Sequence, residues 1–210
     1  MANYEPEGGT TRDDLVQRIA LMEEMIAEGR QSTIRFGWSF VLWGLITLSG
    51  IGWQYFQPHS YWVWPVAIAV GFVIQFTGIV MRRRSGRSIR NNMQSRSIAA
   101  VWRMTAVAIV LYVGPAAVQH DTFLFAYIPA LFMFFGLAHA ISAVILRWRV
   151  QGVVAGLWWA GGVAVCNCDP AGRYMFTIYV AEIVLCMIFF GLYAMWLERR
   201  RAAAEGQTNA

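Results

Sequence analysis

From Trp38 to Met81 the chain runs 44 residues without an Asp, Glu, Lys or Arg. A soluble fold cannot hide an uncharged, mostly apolar block of that length, whereas two membrane-crossing helices with a tight turn between them use all of it. The same alternation of long apolar runs and short polar breaks continues to the C-terminal region. It predicts six spans, at residues 34–56, 61–81, 97–118, 122–146, 150–166 and 174–197. The fold class is therefore all-α, an integral membrane bundle of six transmembrane helices. Gln57-Pro-His-Ser60, Gln119-His-Asp121 and the stretch Asn167–Arg173, broken by Pro170 and Gly172, are its turns on one side. The span at 150–166 is the shortest and carries Gly152, Gly156, Gly161 and Gly162.

Polar segments flank this region (34–197). Residues 1–10 hold Pro, Gly and acidic groups but no apolar cluster, the composition of a disordered tail. An amphipathic helix is predicted over residues 11–33, with Thr11 as N-cap and Asp13 and Asp14 at the positive end of its dipole. Leu15, Ile19, Met22 and Ile26, spaced four, three and four apart, form one apolar stripe, while Arg18, Glu23, Glu24 and Glu28 occupy the rest of the surface. Two heptads fall short of an independent coiled coil, yet the stripe needs a partner. A membrane-surface role fits it poorly, because residues 1–28 contain seven acids and two arginines and surface-lying helices are usually basic. Residues 198–210 are expected to be a polar, frayed tail.

Charge sets the orientation. All 17 basic residues are arginine, and the formal net charge is +5. Six of them, Arg82, Arg83, Arg84, Arg87, Arg90 and Arg96, crowd the interval between the second and third spans. With the four at 12, 18, 30 and 35, the pair at 147 and 149, the three at 199–201, and Arg103 just inside a span, sixteen lie on one side of the predicted bundle and only Arg173 on the other. The positive-inside rule places the arginine-rich side, and both termini, in the cytosol. The basic loop then faces anionic lipid headgroups, each arginine being attracted by about 1 kcal/mol near the surface; nucleic acid is not an expected partner. The acidic lead-in helix and the basic loop share that side, so docking of one on the other is a second expectation.

The returning spans carry Phe76-Thr-Gly78, Phe134-Phe-Gly136 and Phe189-Phe-Gly191, which suggests three hairpins of roughly fifty residues each. The lead-in Leu15-Val-Gln-Arg-Ile-Ala-Leu-Met-Glu-Glu-Met-Ile26, running into Gly37-Trp-Ser-Phe-Val-Leu-Trp-Gly44, resembles bacterial six-span membrane proteins with no assigned activity. The resemblance covers about the first fifty residues. It implies a protein of the bacterial cytoplasmic membrane and transfers no functional residue.

Ionisable and amide groups inside spans are the candidates for chemistry, because they are expensive in lipid. Glu182 lies about 12 Å from the outer end of the last span, and His139 about 12 Å from the cytosolic end of the fourth, at 1.5 Å per residue. His139 and Arg103 are expected at one depth, with Glu182 in the other half of the membrane, which argues against a compact catalytic cluster. Gln75 completes a possible stepped polar path through Glu182 and His139. Among turn residues, His59, His120, Cys166 and Cys168 have metal-ligand chemistry, but Cys-Asn-Cys is not a usual ligand pair and the histidines are single; no metal and no cofactor are expected. Gly152 and Gly156 on the fifth span, and Gly71 and Gly78 on the second, offer small-residue faces for close helix approach or for oligomerisation. The glycines make the fifth span the candidate for the bundle centre.

No nucleophile–base pair or paired-carboxylate arrangement stands out, so enzyme chemistry is not expected. The leading expectation is a non-enzymatic component that assembles as a homo-oligomer or with a cytosolic protein. The alternative is a small channel or transporter using Glu182, His139 and Gln75.

Overall fold

The computed structural model describes residues 12–57, 62–84, 93–118, 127–168 and 173–208. Every regular element among them is helical. In chain order these are α1 (Arg12–Arg35), α2 (Gly37–Phe56), α3 (Val63–Arg84), α4 (Met93–Val118), α5 (Ile128–Leu146), α6 (Arg149–Cys166), α7 (Arg173–Glu182), a π-helical segment (Ile183–Phe189) and α8 (Phe190–Thr208). Among the described residues, four stretches are long and apolar enough to cross a membrane: Val63–Met81, Arg96–Pro115, Ile128–Leu146 and Tyr174–Arg200. Helices α2 and α6 are of similar length, 20 and 18 residues, but are diluted by Gly, Trp and Gln.

Helices end at Phe56, Leu146 and Cys166, where the hydrophobic pattern places its breaks. Other boundaries move. The lead-in helix runs unbroken to Arg35, and only Phe36, with φ −89° and ψ 3°, separates it from α2. Helix α8 continues to Thr208, so residues 202–208 are helical where a frayed tail was expected; Ala202-Ala-Ala-Glu205 is a strong helix former, and the helix already has its nucleus. Thr11 and the predicted disordered tail lie outside the described residues.

The most extensive pairing is between α5 and α6. They are joined by Arg147 and Trp148 alone, on the side opposite the three predicted turns. Arg147 takes a left-handed conformation (φ 47°, ψ 42°), and its N–H closes onto Ala143 and Val144 carbonyls, while the Trp148 N–H reaches the Ala143 carbonyl at 3.0 Å. This cap turns the chain in two residues. Phe135 stacks on Trp158, and Phe132 meets the same indole edge-on, both at 5.0 Å between ring centres.

Helix α2 packs on α3, on the π segment and on α8; α5 also meets α4, and α1 meets α4 and α8. A β-carbon at Gly37 would fall 2.8 Å from the Gly191 carbonyl oxygen, and one at Gly191 2.7 Å from that of Gly37. Here the α2 and α8 backbones touch, next to the break at Phe36. The three Phe-x-Gly glycines all receive a neighbour, but from different elements: Gly78 takes the Trp38 ring of α2, Gly136 the Trp159 ring of α6, and Gly191 the α2 backbone.

Helix α6 is not the bundle centre. Gln151, Val154, Ala155, Trp158, Gly161, Gly162 and Val165 form its one buried face; Gly152 is exposed at the rim of the α5 contact, beside Ala143, and Val153, Gly156 and Val163 are exposed as well. The reason is periodicity. Gly152 and Gly161 are nine residues apart, which is two and a half helical turns, so they point in opposite directions. Gly161 and Gly162 took the packing face. A β-carbon at Gly156 would meet nothing within 4 Å.

Helices α3 and α4 are the outermost. Their apolar windows are almost entirely uncovered by protein, with Val66, Phe72, Val73 and Phe76 exposed on α3 and Met104, Val110 and Leu111 on α4. Apolar surface on that scale needs lipid or another protein.

Candidate functional site

The interior polar groups fall into two stations along α6. The first is Glu182, at the C-terminal end of α7 and buried. Its Oε2 accepts a hydrogen bond from the Cys186 Sγ at 3.1 Å. Its other oxygen faces α6 at Gly161, where a β-carbon would fall 2.5 Å from Oε1. The glycine is required for the carboxyl group to fit. The π-helical winding starts at the next residue, Ile183. Such wide turns concentrate at functional sites, because the extra residue per turn re-aims the side chains around it. A carboxyl group in this setting needs a proton, a cation or water.

The second station joins α5 and α6. His139 and Ser142, three residues apart, share one face of α5, and Gln151 opens the buried face of α6. All three are fully enclosed. The His139 imidazole is ringed by Trp102 of α4, Phe190 of α8 and Phe40 of α2, at 5.0, 5.3 and 5.5 Å between centres. Among the described residues, its Nδ1, the Ser142 hydroxyl and both ends of the Gln151 amide have no hydrogen-bond partner. Gly152 lies beside Ala143 and Gly136 beside Trp159, which fixes the antiparallel register. Gln151 and Ser142 then lie within one helical turn of each other along the axis.

Ten residues of α6 separate Gln151 from Gly161, about 15 Å of helix. An aromatic layer fills the gap: Trp158 is fully buried between Phe132 and Phe135, and its indole N–H is also without a partner. Glu182 and His139 therefore occupy separate stations.

The remaining candidates are dispersed. Gln75 belongs to neither station. It accepts a 2.8 Å hydrogen bond from the Ser39 hydroxyl in the α2–α3 contact, which a second bond, from the Trp64 indole N–H to Gln54 at 2.8 Å, also ties. The stepped path through Gln75 is thus not formed, because its amide is engaged at the outer helix pair. Trp102 touches His139, so Arg103 is at the same level, but Arg103 is exposed and its Nε donates to the Ala99 carbonyl of its own helix at 3.1 Å. Gly71 of α3 seats Trp43 and Ile46 of α2, as Gly78 seats Trp38. Arg84 and Arg96 are exposed where α3 and α4 face the basic interval; Arg82 and Arg83 lie in the last turn of α3, and Arg87 and Arg90 are outside the described residues. Cys166 is exposed and Cys168 half-buried, both as free thiols, while His59 and His120 are outside the described residues.

Ser142, Gln151 and Trp158 were not singled out from sequence. Ser142 was within reach, since an i, i+3 pair with His139 shares a face. Gln151 was hidden by its place two residues after Arg149, where an amide passes for an interfacial residue.

No family model, curated protein or solved structure matches this chain.

Proposed function

We propose that the chain is a non-enzymatic, six-span membrane protein that serves as an assembly or signal-coupling component, with both termini and the arginine interval in the cytosol. One observation carries this reading. Leu15, Ile19 and Met22 are 50 %, 57 % and 58 % exposed, although α1 is a continuous 24-residue helix. The chain's own bundle leaves the stripe uncovered, and a protein surface of that kind is kept for a partner. The acidic groups beside it, Glu23 and Glu24, are exposed as well, which disfavours an anionic lipid surface as that partner. The six-span count is supported by the lengths of α2 and α6, and the orientation by the arginine distribution.

Deleting residues 1–28 is the test. Insertion and helicity of the remaining chain are expected to persist, with loss of co-purification between differently tagged copies or with a cytosolic protein. Unchanged assembly would refute the reading. Orientation is checked separately by cysteine labelling of the Ser85–Ser95 region in intact cells; modification from outside would reverse it.

A second reading, a small channel or transporter, draws on the unpartnered polar atoms of His139, Ser142, Gln151 and Trp158, with Glu182 as a separate station further along α6. It expects Glu182→Gln and His139→Ala to abolish flux in proteoliposomes while the fold is retained.

A further inference from the structure

We infer that the uncovered stripe of α1 pairs with the same stripe of a second copy of this chain, as a short parallel two-stranded coil. The inference rests on the assembly reading and names its partner.

The register decides the geometry. Spacings of four, three and four put Leu15 and Met22 at d positions and Ile19 and Ile26 at a positions of a heptad. β-branched residues at a with unbranched or γ-branched ones at d are the combination that favours two parallel strands. In the same register Arg18 occupies g and Glu23 the following e. In a parallel pair these face each other across the interface, so two symmetric Arg18–Glu23 ion pairs flank the layers of Ile19 and Met22. Both side chains are exposed. An antiparallel pair sets g against g and e against e, which brings like charges together. The complementarity is therefore specific to the parallel arrangement.

A membrane is compatible with parallel pairing. Two copies inserted with one orientation are related by an axis along the membrane normal, and helices that run along that axis point in the same direction. Burial of α1 within the chain begins only at Met25 and Ile26, so the d and a positions before it are open. Three open core layers, Leu15, Ile19 and Met22, are too few for a free peptide to pair. Attachment to the spans supplies the remainder, by confining the stripes of neighbouring copies to one face of the membrane.

The test is oxidative cross-linking of the full-length chain in native membranes, in a Cys166→Ser, Cys168→Ser background. Met22→Cys and Leu15→Cys are expected to form disulfide dimers, whereas Glu24→Cys, at the outward f position, is not. In the Met22→Cys chain, Arg18→Glu is expected to lower dimer yield roughly tenfold, as two like-charge pairs replace two attractive ones. Adding Glu23→Arg to the same chain restores it. Equal cross-linking at 22 and 24, or no rescue by the double exchange, overturns the paired coil. If dimers fail at 22 while deletion of residues 1–28 still abolishes co-purification with another protein, the self-pairing falls and the assembly reading stands. If the deletion changes nothing, both fall.

Discussion

The Cys186 thiol donates to the Glu182 carboxyl group across one turn, at 3.1 Å, where the last span changes from α to π winding. The bond spans the change in pitch, since Glu182 closes α7 and Cys186 is the fourth residue of the wide segment. On its other side the carboxyl group is seated against Gly161. Three helical features, a glycine on α6, an acid at the end of α7 and a thiol on the π turn, thus meet at one point.

Gly161→Ala is expected to destabilise the bundle by about 1–3 kcal/mol, the usual cost of forcing an extra carbon into a close contact. Combined with Glu182→Ala the loss should be smaller than the sum of the two, since the group in the way is removed. Thermal unfolding in detergent of the two single variants and the double variant measures the coupling.

Glu182→Gln keeps the volume of the acid and an oxygen for Cys186. Its midpoint of unfolding is expected within a few degrees of the parent chain. Glu182→Ala opens a space beside Gly161 and should cost about 1–3 kcal/mol through lost packing. Equal losses in both would mean that the ionisable proton, not the shape, holds the site.

His139→Phe tests the second station. It replaces a buried ring that has an unpartnered nitrogen with an apolar ring among Phe40, Trp102 and Phe190. Removing an unsatisfied polar group in favour of a similar apolar one is near neutral or stabilising. A bundle at least as stable as the parent is the expected result in a thermal-shift assay, whereas a drop of several degrees would show that the imidazole is hydrogen-bonded in the membrane, to water or to a partner.

Ser39→Ala and Gln75→Leu each break the hydrogen bond between α2 and α3, and each should cost about 1 kcal/mol. Changed together they are expected to cost little more than either alone. Strict additivity in the double-mutant cycle would mean that the two side chains do not depend on each other.

Arg147 holds a left-handed backbone that glycine adopts without penalty. Arg147→Gly is expected to raise stability by about 1 kcal/mol and Arg147→Val to lower it by a similar amount or more. Both remove the same charge, so comparing their unfolding midpoints isolates the backbone effect.

Much of this architecture is local and was legible along the chain. Helix ends at Phe56, Leu146 and Cys166 follow from polar breaks in apolar runs, and the stripe of α1 follows from its spacing alone. That Glu182 and His139 occupy different levels also follows, because the rise per residue of a helix is constant. What faces what was decided only by tertiary packing. Gly152 and Gly156 look as suited to a helix contact as Gly161 and Gly162, and Gln75 looks as suited to an internal path as Gln151. A hydrophobic helix carries little polar–apolar contrast to say which side turns inward, so its rotation is set by the shapes it meets: a Trp ring on Gly136, a carboxyl group on Gly161, a backbone on Gly37. The order of residues along the chain is enough to say where helices form and which groups lie far from their ends. The packing of those shapes decided that α6 buries only one face, that Gln75 is tied to Ser39, and that the apolar stripe of α1 stays exposed as far as Met22.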